Sequence, residues 1–398
     1  MKQDIQDLVA KYGAKDPLTL ADPSRLPLAV PSFGGAEIEE AIASLLTGWI
    51  TMGKKVAQFE QLWAQEVGTK YAVAVNSGSS ALLVMLCALV ECGYLQPKQE
   101  VLLPAVGWST SMFSVIQAGL TPVLVDIDPH SLCIEGVRER PVLAIHLLGC
   151  PSRVQTPLLL EDACGAHGAQ IAGKKVGGLG KCGAFSFFFS HHLTTGEGGM
   201  ITTSDENLYQ ACRSIRAHGW VRDRSDRQKF IADHPKIDER FLFVSQGYNL
   251  RMTDIAGAFG IHQVGRLDEF VARRRRNHLN WCERIQSLSL PLNVFPEIQG
   301  TKHSGFAFPI LLHEDTKLSR KELCSFLESR NIQTRPISGS NLSKQPIFAQ
   351  IPGFVEGETP VADAIHERGF FVGQSHAFGE VHGELLTNAL QDAFSARK

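Results

Sequence analysis

Short apolar runs alternate with segments of helical spacing through the first half of the chain. Residues 71–75 have the length and composition of a strand, Asn76-Ser77-Gly78-Ser79-Ser80 that of a turn built from small residues, and 81–90 that of a buried helix. Further strands are expected at 100–103, 122–125, 142–146 and 157–160, with a helix around 109–118. Strands separated by helices predict a mostly parallel sheet covered on both faces. The connections around 130–140 and 150–156 are short for helical crossovers. Upstream, residues 1–30 read as one short helix and a Pro-containing arm. Ile38, Ile42, Leu45 and Leu46 give 34–48 helical spacing, and 56–67 forms the next helix. From Thr253, an N-cap followed by Asp254, a long helical pattern predicts a buried stripe of Ile255, Phe259, Leu267 and Val271. The basic run at 273–276 reads as a solvated helix face, with a phosphate site as the alternative. Beyond 285, a strand at 306–312, a helix at 319–329 and a strand at 332–336 predict a smaller α+β unit. The expected organisation is an arm over 1–30, a large domain over 31–270 and a small C-terminal domain over 271–398.

Composition narrows the partners. Among 398 residues, 39 Lys and Arg oppose 41 Asp and Glu, a formal charge of -2. That balance argues against a nucleic-acid partner held by a general basic field and leaves room for a local anion site. The longest clean apolar run, 81–90, is too short to span a bilayer, so no membrane partner is expected. The first fifteen residues lack the basic and apolar regions of a signal peptide. Nine cysteines, without a C-x-x-C pair, suit a reducing cytoplasm, where the protein is expected to reside. Cys87 and Cys92 read as core.

Three segments carry candidate chemistry. The turn at 76–80 joins a strand to a helix, where small residues let backbone N–H groups approach an anion; a plain tight turn is the alternative. Glu161-Asp162 ends an apolar run, the place where parallel sheets bind ligands; a helix N-cap is the alternative. In 183–200 an aromatic strand meets His191-His192 and then a Gly-rich turn. Adjacent residues on a strand point to opposite faces, which argues against one metal ion held by both.

Together with Thr51-Met52-Gly53, Val125-Asp126-Ile127-Asp128, Arg216-Ala217-His218-Gly219-Trp220, Gly247-Tyr248-Asn249 and Arg335-Pro336, these segments resemble the DegT/DnrJ/EryC1/StrS family of sugar aminotransferases over nearly the whole chain. The resemblance implies an α/β fold, the pyridoxal-phosphate (PLP) transferase fold type I. Its large domain carries a mostly parallel seven-stranded sheet, and its small C-terminal domain is α+β. The family pattern Ser-Phe-x-x-x-Lys places a cofactor-binding lysine where this chain has His191. Imidazole cannot make that covalent link. The histidine is shared with a branch of sugar 3-dehydratases, which implies PLP or pyridoxamine phosphate (PMP) bound non-covalently and His191 as acid/base. The implied substrate is a nucleotide-linked 4-keto-6-deoxyhexose, GDP-4-keto-6-deoxymannose first, in deoxysugar and O-antigen-type polysaccharide synthesis. Glutamate is the implied amino donor.

The resemblance assigns Gly78, Ser79 and Ser186 to the cofactor phosphate, Trp108 to the ring face and Asp162 to the ring nitrogen. Asn249 is assigned to the phosphate of a neighbouring subunit, implying a homodimer with shared sites. His218, Arg251 and Arg335 are substrate-binding candidates, each with a salt-bridge alternative, and His192 reads as structural. Only Cys212 and two distant cysteines follow His191, so no iron–sulfur cluster is expected. Gly165 departs from relatives that carry a side chain against the cofactor's 3-hydroxyl; His167 is a candidate substitute. The alternatives are another PLP enzyme acting on nucleotide sugars, such as an atypical aminotransferase, or a non-catalytic nucleotide-sugar-binding relative.

Overall fold

The computed structural model describes residues 2–12, 16–19 and 21–395. The expected alternation folds into one large sheet. Its strands are β1 (Tyr71–Val75), β2 (Glu100–Pro104), β3 (Thr121–Val125), β4 (Val142–Ile145), β5 (Leu159–Asp162), β6 (Cys182–Ser186) and β7 (Gly199–Thr203). The second sheet contains β8 (Leu292–Val294), β9 (Ala307–Leu312), β10 (Thr334–Pro336) and β12 (Gly369–Gly373). Between them in sequence, β11 (Phe354–Val355) returns to the large sheet. The large sheet therefore has eight strands, in the order β1-β7-β6-β5-β4-β2-β3-β11, one more than the expected seven. Only β7 runs against its neighbours. The second sheet is antiparallel throughout, in the order β8-β9-β12-β10.

Helices form where apolar spacing and caps agree. After α1 (Lys2–Tyr12) and α2 (Gly35–Leu46) comes α3 (Lys54–Val67), which buries Val56, Phe59 and Trp63. Helix α4 (Gly78–Glu91) is apolar nearly all round because it lies in the core, and α5 (Ser109–Gln117) follows β2. Helix α6 (Glu206–Ile215) follows β7. No α-helix lies between β3 and β4 or between β4 and β5, where the only helical turn of the latter connection is the short 3-10 turn Leu147–Gly149. A two-residue ladder pairing Gly136–Val137 with Val154–Gln155 occupies those short connections.

The long helix expected from Thr253 breaks at Gly265-Arg266 into α7 (Asp254–Val264) and α8 (Leu267–Ser287). Thr253 does cap α7, accepting from the Ala256 N–H at 3.3 Å. Asp254, however, accepts from the N–H groups of Gly53 and Val56 at 2.9 and 3.0 Å, and so caps α3. The expected stripe is only half right. Leu267 and Val271 are buried, whereas Ile255 and Phe259 are half-buried. Helix α7 meets α3 through glycine instead: a Cβ on Gly260 would sit 2.5 Å from the Phe59 ring. The basic run is not wholly solvated either. Arg274 is 2% exposed.

Helices α9 (Arg320–Ser329), α10 (Pro360–Arg368) and α11 (Glu380–Ser395) accompany the second sheet. The arm joins the same core, with Leu26 bridged to Ile332 and buried beside Phe308 and Phe370. Among the described residues, no helix is long and apolar enough to cross a membrane.

Candidate active site

The carboxyl ends of the parallel strands open onto a cavity of about 580 Å³. Its floor comes from the segments after β1, β2, β4, β5 and β6. Its far wall comes from Phe306, Arg335, Pro336, Ser338 and Phe371. Of the residues singled out from sequence, Gly78, Ser79, Trp108, Asp162, Ser186, His191 and Arg335 all line it.

The first wall is the N-terminal end of α4. Ser77 caps it, its Oγ accepting from the Ser80 N–H at 3.1 Å, and Asn76 Oδ1 accepts from the Ser80 hydroxyl at 2.6 Å. A Cβ on Gly78 would fall 2.5 Å from Ser186 Cβ. Only glycine lets the helix end approach β6 so closely. The unpaired N–H groups and positive dipole end favour an anion there.

Asp162 is the floor. It is buried; Oδ2 accepts from the Ser111 hydroxyl at 2.6 Å and Oδ1 from the Cys164 N–H at 3.1 Å. No helix starts after β5, which disposes of the N-cap reading. Its neighbour Glu161 faces the other way. It accepts from the N–H groups of Gly177, Leu179 and Gly180 at 2.7–2.9 Å. His146 Nε2 lies 3.0 Å from the same carboxylate, while the Ser152 N–H donates to His146 Nδ1 at 3.0 Å. That arrangement fixes the neutral tautomer, with Nε2–H donating to Glu161. His146 lines the cavity and went unnoticed in the sequence, where it is one histidine ending an apolar run.

His191 and His192 lie past the end of β6, in a turn rather than on the expected strand, so strand alternation is not what separates them. His191 lines the cavity and its Nδ1 is buried without a hydrogen-bond partner. Burial pushes its imidazole down to about 4; a backbone interaction with Phe188 opposes this and the Arg274 charge adds to it. His192 Nε2–H donates to the Ser304 carbonyl at 3.0 Å, away from the cavity lining. His167 is packed among Trp63, Phe185 and Phe187 behind His191, so it does not supply a cavity contact beside Gly165. Arg274 lies behind this cluster. Burial lowers its guanidinium to about 9, and its Nη1 donates only to the carbonyls of Gly305, Phe306 and Gln374.

Trp108 stands 61% exposed at the cavity rim. Arg335 reaches the cavity, donates to the Thr334 carbonyl at 2.7 Å and makes no ion pair among the described residues. The remaining three candidates do not join it. Arg251 donates to Asn249 Oδ1 at 2.9 and 3.2 Å and to His218 Nε2 at 3.3 Å. This cluster lies beside the turn after β1, where the Asn76 N–H meets the Leu250 carbonyl at 2.9 Å, outside the cavity lining of its own chain. Among the described residues, no group of three or more His, Cys, Asp or Glu side chains is placed to hold a metal ion.

The residues present fit a phosphorylated pyridine. A helix end closed by glycine offers an anion cradle, a buried carboxylate faces the cavity, and an exposed indole stands at its rim. Fold and site together define a PLP-dependent transferase of fold type I. The model of the DegT/DnrJ/EryC1/StrS aminotransferase family matches residues 31–389, and the chain belongs to that family. It is 35% identical over 372 residues to the GDP-4-keto-6-deoxy-D-mannose 3-dehydratase of Yersinia pseudotuberculosis, covering 87% of this chain and 93% of that one. The GDP-perosamine synthase of Caulobacter vibrioides is 33% identical, over 80% of this chain and 85% of that one. A GDP-4-keto-6-deoxymannose-3-dehydratase solved with a trapped PLP-glutamate geminal diamine superposes with a TM-score of 0.82. Its identity is 32%, and the match covers 92% of this chain and all of the other.

Proposed function

We propose that this chain is a PLP/PMP-dependent 3-dehydratase of a nucleotide-linked 4-keto-6-deoxyhexose, with GDP-4-keto-6-deoxymannose as the leading substrate. The observation that carries the reading is His191. An imidazole that burial keeps neutral, with Nδ1 free of any partner, lines the cavity at the position where the family has its lysine. Without a primary amine there, the cofactor is held non-covalently. Gly78, Ser79 and Ser186 would hold its phosphate at the end of α4, Asp162 would keep the proton on its ring nitrogen, and Trp108 would cover one ring face. When bound, the cofactor supplies the electron sink that such an elimination requires.

The protein's own part is proton handling and positioning. His191 begins neutral, so it can accept a proton at its imidazole and pass it to the sugar C3 oxygen as that oxygen leaves. Arg335 offers an unpaired cation for the sugar or its diphosphate. The His218–Asn249–Arg251 cluster lies outside its own chain's cavity, which supports a homodimer in which each subunit lends this cluster to the other's site. Asn249 would then reach the partner's cofactor phosphate. Glutamate as amino donor would regenerate PMP. The same reading proposes an arm over 1–30, a cofactor-binding unit over 31–270 and a smaller unit over 271–398.

The test is incubation with PLP, glutamate and GDP-4-keto-6-deoxymannose, with the sugar nucleotide read by mass spectrometry. Loss of one oxygen with ammonia release supports dehydration. A ketone exchanged for an amine, the outcome the perosamine synthase likeness favours, overturns it.

A further inference from the structure

Gly165 lines the cavity three residues beyond Asp162, yet neither its backbone nor its first carbon requires glycine. Its φ lies outside the left-handed region, and a Cβ there would rest 3.8–4.0 Å from the Phe306 ring, an ordinary contact. A side chain continuing past that Cβ toward the far wall would meet the Phe306 ring. The same ring packs 5.1 Å from the His191 imidazole and 5.9 Å from that of His192. Phe306 therefore stands between the bare backbone at 165 and the proposed acid/base.

Its backbone is held from three sides. The Phe306 N–H donates to the Leu148 carbonyl at 3.1 Å and the Ser304 N–H to the Gly149 carbonyl at 3.0 Å. His192 donates to the Ser304 carbonyl at 3.0 Å. Arg274 donates to the Gly305 and Phe306 carbonyls at 3.3 and 3.4 Å. These carbonyls are among the few partners of a buried guanidinium, so moving the segment would leave that charge less satisfied.

We propose that Phe306 is a positioning residue for His191, and that it takes the space a side chain at position 165 would otherwise fill. The His191 Nδ1 has no hydrogen-bond partner, and of the rings around the imidazole Phe306 packs nearest, at 5.1 Å against 6.1 Å for Phe188 and for His167, so contact with Phe306 limits its tilt. The inference deepens the dehydratase reading and rests on it for the identity of the reaction, not for the geometry.

The experiment compares Phe306→Ala, Phe306→Leu, Gly165→Gln and the Gly165→Gln/Phe306→Ala double variant. One readout is independent of turnover: the His191 imidazole resonance of the cofactor-free protein, assigned with His191→Asn. Either variant at 306 loses the Phe ring current, so Phe306→Ala is expected to broaden or shift that resonance relative to Phe306→Leu. It should also lower kcat about 10- to 100-fold, with sugar KM changed less than about threefold. Phe306→Leu, which restores most of the volume, should recover most of kcat. Gly165→Gln should lose activity, and the double variant should recover part of it, a coupling expected of touching residues. A Phe306→Ala resonance that matches that of Phe306→Leu, with unchanged kcat, overturns the proposal, as does strictly additive loss in the double variant. A Phe306→Ala resonance displaced from that of Phe306→Leu, in a protein that never dehydrates the sugar, would refute the reaction and leave the positioning intact.

Discussion

The hydroxyl of Ser111, in the first turn of α5, donates to the carboxylate of Asp162 at the end of β5 across 2.6 Å. With the Cys164 N–H on the other oxygen, this leaves the carboxylate oriented and facing the cavity. A helix and the segment just past a strand thus fix one acceptor.

Removing Ser111→Ala takes one of those two donors. Hydrogen bonds to charged groups contribute about 1.5–3 kcal/mol, so PLP should bind roughly 10- to 100-fold more weakly. Absorbance titration of the cofactor reads this. Unchanged affinity would mean that the Asp162 carboxylate is oriented without Ser111.

His191→Asn should abolish dehydration, by a factor on the order of 10²–10⁴, while PLP still binds. Ammonia release and cofactor absorbance, measured on the same sample, separate the two. Near-normal ammonia release from the variant would remove His191 from the mechanism.

Gly78→Ala places a methyl 2.5 Å from Ser186 Cβ and 3.0 Å from Cys164 Sγ, with backbone on one side and a core strand on the other. Overpacking of this kind costs about 1–3 kcal/mol. Because the strain falls at the anion cradle, thermal denaturation should show a lower Tm and a smaller rise on adding PLP. A wild-type rise would place the phosphate elsewhere.

Burial holds His167, His192 and His303 well below the usual imidazole value of 6.5, and His191 at about 4. The unfolded chain therefore takes up more protons than the folded one as pH falls below about 6.5. Stability from these groups is fully present above that pH. It falls as the pH drops toward about 4, by up to about 1.4 kcal/mol per pH unit for each histidine. Tm should be flat from pH 8 to 7 and decline from pH 6.5 downward. His167→Phe, which keeps the aromatic packing without a titrating ring, should make that decline shallower. An equally steep decline would exonerate His167.

The β1–turn–α4 unit and the strand ends around Asp162 are legible in the sequence because local apolar runs and small-residue turns carry them. The motif around His191 is legible for the same reason. Phe306, Arg274 and His146 are not. Each is placed by partners many residues away, and nothing in its own neighbourhood marks it out: Phe306 and His146 read as parts of apolar runs, Arg274 as part of a solvated face. Arg274 illustrates the difficulty: within a four-arginine run, only a bend of the chain at 304–306 decides which side chain is buried. Helix α7 fails for a related reason, since its glycine face has meaning only once α3 lies against it.

The far wall of the cavity does not hang free. Beyond Arg335, the Gly339 N–H reaches the Gly107 carbonyl and the Leu342 N–H the Ala105 carbonyl, at 2.9 and 2.8 Å. Phe354–Val355 then pairs with β3, and Asp126 caps α10 through the N–H groups of Val361 and Ala362. The chain bearing Arg335 is thus stitched repeatedly to the strand ends that carry the floor. A ligand meets two walls already held in register, and little of its binding energy is lost to ordering the protein around it.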